Sequence, residues 1–297
     1  MTPEVRCYRH AEDYERVGAF LNRTYPPTGT HRNWLQPRWE YMHYHPLLDP
    51  ATLGRIGVWE AAGQIVGVVH HEHRMGDVYF ELDPEFPELR RPMLEFAQAH
   101  LTREEAEGPV LRAYIDAEDR EFESIAEGLG FRKDAGASEC MSELRIPRPF
   151  PPIRVPEGFA LKSLADEDDL RKTHRVLHRG FNHPGEPPEE GIEGRRLMQS
   201  APNFRKDLTI VVTAPDGSFV SFCGMWVVPE HRLAYVEPVA TDPDYRRRGL
   251  GTAAVLEGVR RCGELGATVA YVGTDKPFYK SMGFREVYRQ FVWCKGL

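Results

Sequence analysis

Residues 240–259 read ATDPDYRRRGLGTAAVLEGV. They follow a β-rich run, LAYVEPVAT (233–241), which predicts a strand. An aspartate-proline loop then leads through three arginines to a Gly-x-Gly pair. Beyond Gly249, apolar residues at Ala253, Ala254, Leu256 and Val259 predict a helix with one buried side. A helix start presents unpaired N–H groups and about half a unit of positive charge. Glycines let an anion reach those groups without meeting a Cβ, and guanidinium groups add fork-shaped donors. Arg246, Arg247, Arg248, Gly249, Leu250, Gly251 and Thr252 therefore predict a diphosphate site, the alternative being a solvated basic helix start. Residues 249–254 also match the Gly-x-Gly-x-x-Ala dinucleotide fingerprint formally. That motif needs its strand to end almost at the first glycine, whereas the loop 242–248 intervenes here. No lysine follows in Walker spacing.

The chain has 297 residues, a length that favours two domains over one. The proline-rich stretch RIPRPFPPIRVPEGF (145–159) reads as an extended connector. The halves on either side resemble each other. GRIGVWEAAGQIVGVVHHEH reads as two strands around Ala62-Gly63, and DLTIVVTAPDGSFVSFCGMWVV reads likewise around Asp216-Gly217. Asp-Pro-acid-aromatic at 83–86 answers the same pattern at 242–245, and Gly-Phe-Arg closes both halves. The offsets Gly63 to Gly217, Asp83 to Asp242 and Gly130 to Gly283 are 154, 159 and 153. So constant a spacing predicts a tandem duplication in which each copy is α/β (α+β), with a mixed, mainly antiparallel sheet flanked by helices. The expected boundaries are 1–146, a linker 147–157, and 158–297. The first copy has Arg91-Pro92-Met93 where the second has its glycines, and Ala126 where the second has Tyr279. It reads as a scaffold without a site.

Composition limits the partners. With 38 Lys+Arg against 45 Asp+Glu, the formal charge is −7, which argues against nucleic acid or a membrane surface. Five scattered cysteines without a Cys-x-x-Cys suggest neither a disulfide framework nor a metal cage. The charged N-terminus and the lack of a long apolar run point to a cytoplasmic protein.

Arg246-x-x-Gly249-x-Gly251 after an Asp-Pro loop, followed by PFYKSMGF (277–284), resembles the GNAT superfamily of N-acetyltransferases. The resemblance spans most of 159–293 and, more faintly, the first half as a degenerate copy. It implies tandem acyl-CoA N-acyltransferase folds and acetyl transfer from acetyl-CoA to an amine by direct attack in a ternary complex, without a metal. The alternative is a coenzyme A-binding sensor or scaffold without turnover. The resemblance places the diphosphate on 246–252. It lays the pantetheine arm between strands 236–241 and 268–273, against Val239, Ala240 and Thr241. Pro238 is the expected start of the splay. Tyr279 takes the family's general-acid position, or else is a packing tyrosine. Glu237 is the candidate base, or a rim carboxylate. The family's frequent asparagine after the second strand is replaced by Thr274 and Asp275. The acceptor is a small-molecule or peptide amine, and the oligomeric state stays open.

Three further stretches carry weaker signals. HHEH (70–73) predicts a polar strand face rather than a zinc site, because alternation splits its ligands between two faces. WLQPRWEYMHYHP (34–46) predicts a helix packed on its own domain, or one overhanging the acceptor cleft. The polar stretch from His178, with Glu186, Glu189 and Glu190, lies where the family places acceptor-binding elements; it would favour a cation, or is a solvated loop.

Overall fold

Turn chemistry sets both predicted hairpins. Ala62, Gly63 and Gly217 take φ of 50°, 78° and 80°, the left-handed region that closes such turns. The structure is a computed structural model that describes residues 2–25, 31–106 and 108–296. In chain order the first half forms β1 (Glu4–Cys7), α1 (His10–Arg23), α2 (Gln36–His43), β2 (Gly57–Ala61), β3 (Gln64–His71) and β4 (Asp77–Leu82). It continues with α3 (Arg90–His100), β5 (Arg103–Glu105), β6 (Gly108–Asp116), α4 (Arg120–Gly128) and β7 (Arg132–Arg145). The second half forms β8 (Ala160–Ser163), α5 (Leu170–Gly180), α6 (Gly191–Gln199), β9 (Ile210–Thr213), β10 (Phe219–Val228) and β11 (Leu233–Thr241). After these come α7 (Leu250–Glu264), β12 (Val269–Val272), α8 (Pro277–Lys280) and β13 (Arg285–Gly296).

The chain divides into two compact units. One comprises 1–43, 47–140 and 288–297; the other comprises 44–46 and 141–287. In the first, β1, β2, β3 and β4 run antiparallel in sequence order, and β6 joins β4 in parallel. In the second, β8, β9, β10 and β11 repeat that order, and β12 joins β11 in parallel. The helices recur in step, two between the first and second strands and one on each side of the parallel strand. The duplication is therefore visible element by element.

The division differs from the sequence boundaries at both ends. β13 pairs with β6 from Gln290↔Asp116 to Gly296↔Val110, so the last strand completes the first unit's sheet. The end of β7 pairs with β12, from Ser142↔Val272 to Arg145↔Val269, and completes the second unit's. Each unit takes its sixth strand from sequence assigned to the other copy. Trp293 shows the energetic consequence, because it is 2% exposed in the first unit's core with Phe131, Phe122 and Ala113. Trp293→Ala is expected to destabilise that unit by about 3–5 kcal/mol, through lost transfer energy and a cavity. Urea unfolding followed by circular dichroism checks this; an unchanged midpoint would remove β13 from the core.

In the first unit α3 and α4 cover one sheet face, with Met93, Leu94, Phe122 and Ala126 buried against Val69, Phe80 and Ile115. Val17 and Leu21 of α1 and Trp39 and Met42 of α2 cover the other. The helix predicted within 34–46 thus packs on its own unit. His70 and His71 are buried rather than forming an outward polar face. His70 Nε2 lies 2.9 Å from Glu81 Oε1, and the Trp34 N–H donates to Glu81 Oε2 at 2.7 Å. In the second unit, α7 sits close on the sheet because Gly258 has no Cβ; one there would come within 2.6 Å of Met225 Cγ. On α7, Val255 is buried and Leu256 only half-buried, the reverse of the sequence expectation for Leu256. No helix among the described residues is long and apolar enough to cross a membrane.

Candidate functional site

The site begins where β11 leaves β12. The parallel pairing runs Leu233↔Val269, Ala234↔Ala270 and Tyr235↔Tyr271 and goes no further, although β11 continues to Thr241. The cause lies on the other edge of β11. Pairing with β10 steps from Cys223↔Val239 to Met225↔Val236, leaving one extra residue on β11 around Glu237-Pro238. Such a bulge bends its strand away from a neighbour. Gly224 permits it, since a Cβ there would run into the Glu237 carbonyl oxygen and lie 3.0 Å from Pro238 Cδ. Trp226 Nε1–H donates to the same carbonyl at 2.9 Å. Beyond the bulge, the Asp242 N–H donates to Val220 O on the β10 side. Alternation then turns the amides of Val239 and Thr241 toward the opening and that of Ala240 away from it.

A cavity of about 410 Å³ occupies this opening. It is lined by Val239, Ala240 and Thr241 of β11, by Tyr245 to Arg247 and Gly249 to Thr252, and by Lys276, Phe278 and Tyr279 of the α8 segment. Arg247 and Gly249 take φ of 65° and 81°, so the loop turns twice through the left-handed region before α7 starts. Gly249 is the N-cap and supplies no side-chain partner to the helix amides. Open N–H groups, a helix start and a left-handed loop make an anion cradle. Gly251 keeps it open and closely packed, because a Cβ there would meet Thr241 Oγ1 at 2.9 Å and Phe278 Cζ at 3.3 Å.

The three arginines differ in use. Arg246 donates to Thr241 O (3.1 Å), Gly180 O (2.8 Å) and Asn182 Oδ1 (2.9 Å), tying the loop to the end of α5. Arg248 donates to Asp244 O at 3.3 Å and lies over the Tyr245 ring, outside the cavity lining. Arg247 lines the cavity and has no hydrogen-bond or ion-pair partner among the described residues. The charge read as one anion-binding triplet therefore divides, with Arg246 and Arg248 holding the loop.

Asp242 anchors that loop from beneath. It is fully buried, accepts from Arg179 at 2.6 and 3.0 Å and from the Asp244 N–H, and lies 3.5 Å from Arg175. Burial works against its charge, but the Arg179 hydrogen bonds lead the contacts that hold its carboxyl below the usual range. A depressed value means stabilisation that is complete above the unfolded value, about 3.9, and is lost as pH falls through the folded one. Arg179→Met is expected to cost about 3 kcal/mol at pH 7 by leaving a buried charge underpaired. That deficit should shrink in acid, as Asp242 protonates. Urea unfolding at neutral pH and in acid checks it; a deficit independent of pH would contradict the pairing.

The chemistry-bearing side chains lie on β11 and α8. Tyr279 is 8% exposed, packs edge-on against Phe278 and Phe284, and lines the cavity. Burial pushes its phenol well above the usual range, and neighbouring Cys223 and Glu237 add to the rise. Glu237 is half-buried, lies outside the cavity lining, and accepts from the Tyr235 hydroxyl at 3.4 Å.

Residues 171–284, which hold every one of these groups, match the model of the Acetyltransferase (GNAT) family. They form a GNAT-family acetyltransferase domain. The chain is similar to a mycothiol acetyltransferase of Saccharomonospora viridis, 26% identical over 257 residues, 80% of this chain and 81% of that one. Among solved structures, a GCN5-related N-acetyltransferase from Sphaerobacter thermophilus superposes with a TM-score of 0.66 at 18% identity, covering 99% of this chain and 95% of that one. A tandem GNAT protein from the clavulanic acid biosynthesis pathway gives 0.64 at 14%, covering 99% and 98%. These two likenesses concern the fold.

The GNAT domain's opening has a counterpart in the first unit that the chain fills itself. There β4 pairs in parallel with β6 only at Asp77↔Arg112 and Val78↔Ala113. With the offset of 159, Phe80 and Leu82 correspond to Val239 and Thr241. His31 Nε2 lies 2.7 Å from Phe80 O, while Asn33 accepts from the Leu82 N–H at 2.8 Å and donates to Leu82 O at 3.0 Å. Tyr79 of β4 stacks on Tyr114 of β6, the residues next after the last parallel pair, Val78↔Ala113. Asp83 nevertheless repeats the Asp242 anchor, with Arg23 at the end of α1 at 2.5 Å. The anchor survived duplication and the open strand edge did not. Sequence comparison located the anchor through its Asp-Pro signature. It missed His31 and Asn33, which lie about fifty residues from the strand they cover.

Proposed function

We propose that the GNAT domain transfers the acetyl group of acetyl-CoA to a primary amine by direct attack in a ternary complex. The observation that carries this is the open edge of β11 beyond Tyr235, continuous with the amide-lined loop and with Tyr279. The residues fit the cofactor. A Cβ at Gly251 would crowd the cradle, and Val239, Ala240 and Phe278 give the same cavity an apolar wall. The N–H groups of 247–252, with Arg247, would hold the diphosphate. The strand-edge groups of Val239 and Thr241 would meet the pantetheine amides as an added strand does. Because Thr241 O already accepts from Arg246, its N–H and the Val239 groups carry that pairing.

When bound, acetyl-CoA supplies an activated thioester. Tyr279, protonated at neutral pH as phenols ordinarily are, would donate its phenolic proton to the departing sulfur. Glu237, directly or through water, would accept the proton of the attacking amine, whose ordinary pKa near ~10 otherwise leaves it charged. Held geometry supplies much of the remaining acceleration. The first unit, with its strand edge capped by His31 and Asn33, acts as scaffold. The test is acetyl-CoA turnover, read as thiol release, across small amines, peptide N-termini, lysine side chains and amines related to mycothiol. Amine-dependent release supports the reading. Calorimetric binding of coenzyme A without turnover on any amine would favour a sensor, and absence of binding would end both.

A further inference from the structure

The residue before α8 carries a charge that neither the fold nor the diphosphate cradle uses. Lys276 is the N-cap of α8, is exposed, and lines the same cavity as Arg246 and Arg247. Its backbone is engaged: the N–H donates to Thr274 Oγ1 at 3.3 Å, and the carbonyl accepts from Tyr279 and Lys280. Its ammonium has no hydrogen-bond or ion-pair partner among the described residues, whereas neighbouring Lys280 pairs with Asp275 at 3.1 Å.

The first unit shows a pair of helix starts whose counter-charge the chain supplies itself. There the N-cap of the corresponding helix, α4, is Asp119. Its carboxylate accepts from Arg90, the first residue of α3, at 2.9 and 3.2 Å. His31 Nδ1 stands 3.5 Å from the same carboxylate. An internal anion and an internal cation thus bridge the two helix starts. In the second unit both sides are positive: Lys276 before α8, and Arg247 with the α7 start across the cavity. Like charges around one cavity are unfavourable until an external anion enters.

Resting on the coenzyme A reading above, we infer that Lys276 recognises the 3′-phosphate of the cofactor and makes the site discriminate coenzyme A from its 3′-dephospho form. The diphosphate has its own donors in the loop amides and Arg247. A phosphate monoester carries about −1.5 to −2 charge at pH 7 and is the remaining dense anion of the molecule. A lysine ammonium suits it, as a point charge on a flexible stem that needs no fixed fork geometry.

The experiment measures calorimetric affinities of coenzyme A and 3′-dephospho-coenzyme A for the wild type, Lys276→Ala, Lys276→Arg and Arg247→Ala, all full-length. The wild type should prefer coenzyme A by about tenfold, the size of one charge-assisted contact. Lys276→Ala should lose that preference by weakening coenzyme A alone, Lys276→Arg should retain most of it, and Arg247→Ala should weaken both ligands together. Equal weakening of both ligands by Lys276→Ala would place the lysine on the diphosphate and overturn the inference, as would no weakening of either. If the wild type binds neither ligand, the coenzyme A reading falls as well, so the two failures are distinguishable.

Discussion

Tyr279→Phe is expected to lower kcat by about a hundredfold or more while changing coenzyme A affinity by no more than about twofold. The ring of Tyr279 is a packing element, edge-on to Phe278 and Phe284 and buried in the core that includes Val272 and Leu250. Phenylalanine retains that packing and removes only the hydroxyl. A purely structural tyrosine would tolerate the change, whereas a proton donor would not. Like any tyrosine the phenol is protonated at neutral pH, and because burial raises it further it would release its proton only as negative charge grows on the sulfur. The deficit should therefore appear in kcat and equally in kcat/KM for the amine. Stopped-assay turnover with calorimetry on the same preparation separates the two quantities. Equal turnover would confine Tyr279 to packing.

The parts of this site that the sequence disclosed are those set by local chemistry. Leu233–Thr241 and the start of α7 at Gly249 follow from a β-rich run, a proline loop and a glycine, all within twenty-five residues. Pro238 marked the bulge because it cannot join the ladder. What stayed hidden depends on partners distant in the chain. Arg246 reads as a phosphate ligand until Gly180 and Asn182, more than sixty residues earlier, are seen to accept from it. The polar HHEH run reads as a surface face until Glu81 and Trp34 enclose His70. The placement of β13 in the first unit carries no periodic signal, because alternation fixes a strand's faces and not its neighbour. Lys276 was overlooked for a related reason: one lysine before a proline is unremarkable until the cavity it lines and the ion pair at the start of α4 are both known.

The second large effect concerns the cradle. Gly251→Asp is expected to weaken coenzyme A binding by about a hundredfold or more, since it combines a steric and an electrostatic conflict. The added Cβ would lie 2.9 Å from Thr241 Oγ1 and 3.3 Å from Phe278 Cζ, so β11 or the α8 segment must shift. Thr241 cannot yield freely, because its hydroxyl also meets Ser221 Oγ at 3.0 Å and its carbonyl is held by Arg246. The aspartate would also bring a carboxylate to the helix start that the diphosphate requires, replacing an external anion with an internal one. That is the arrangement in the first unit, where Asp119 meets Arg90. Gly251→Ala separates the two causes by keeping the crowding without the charge, so its loss should be smaller and should not ease as ionic strength rises. The aspartate variant's loss should lessen with salt, because screening weakens repulsion between anions. Calorimetry at two salt concentrations reads both, and unchanged affinity in the aspartate variant would mean that the diphosphate lies elsewhere.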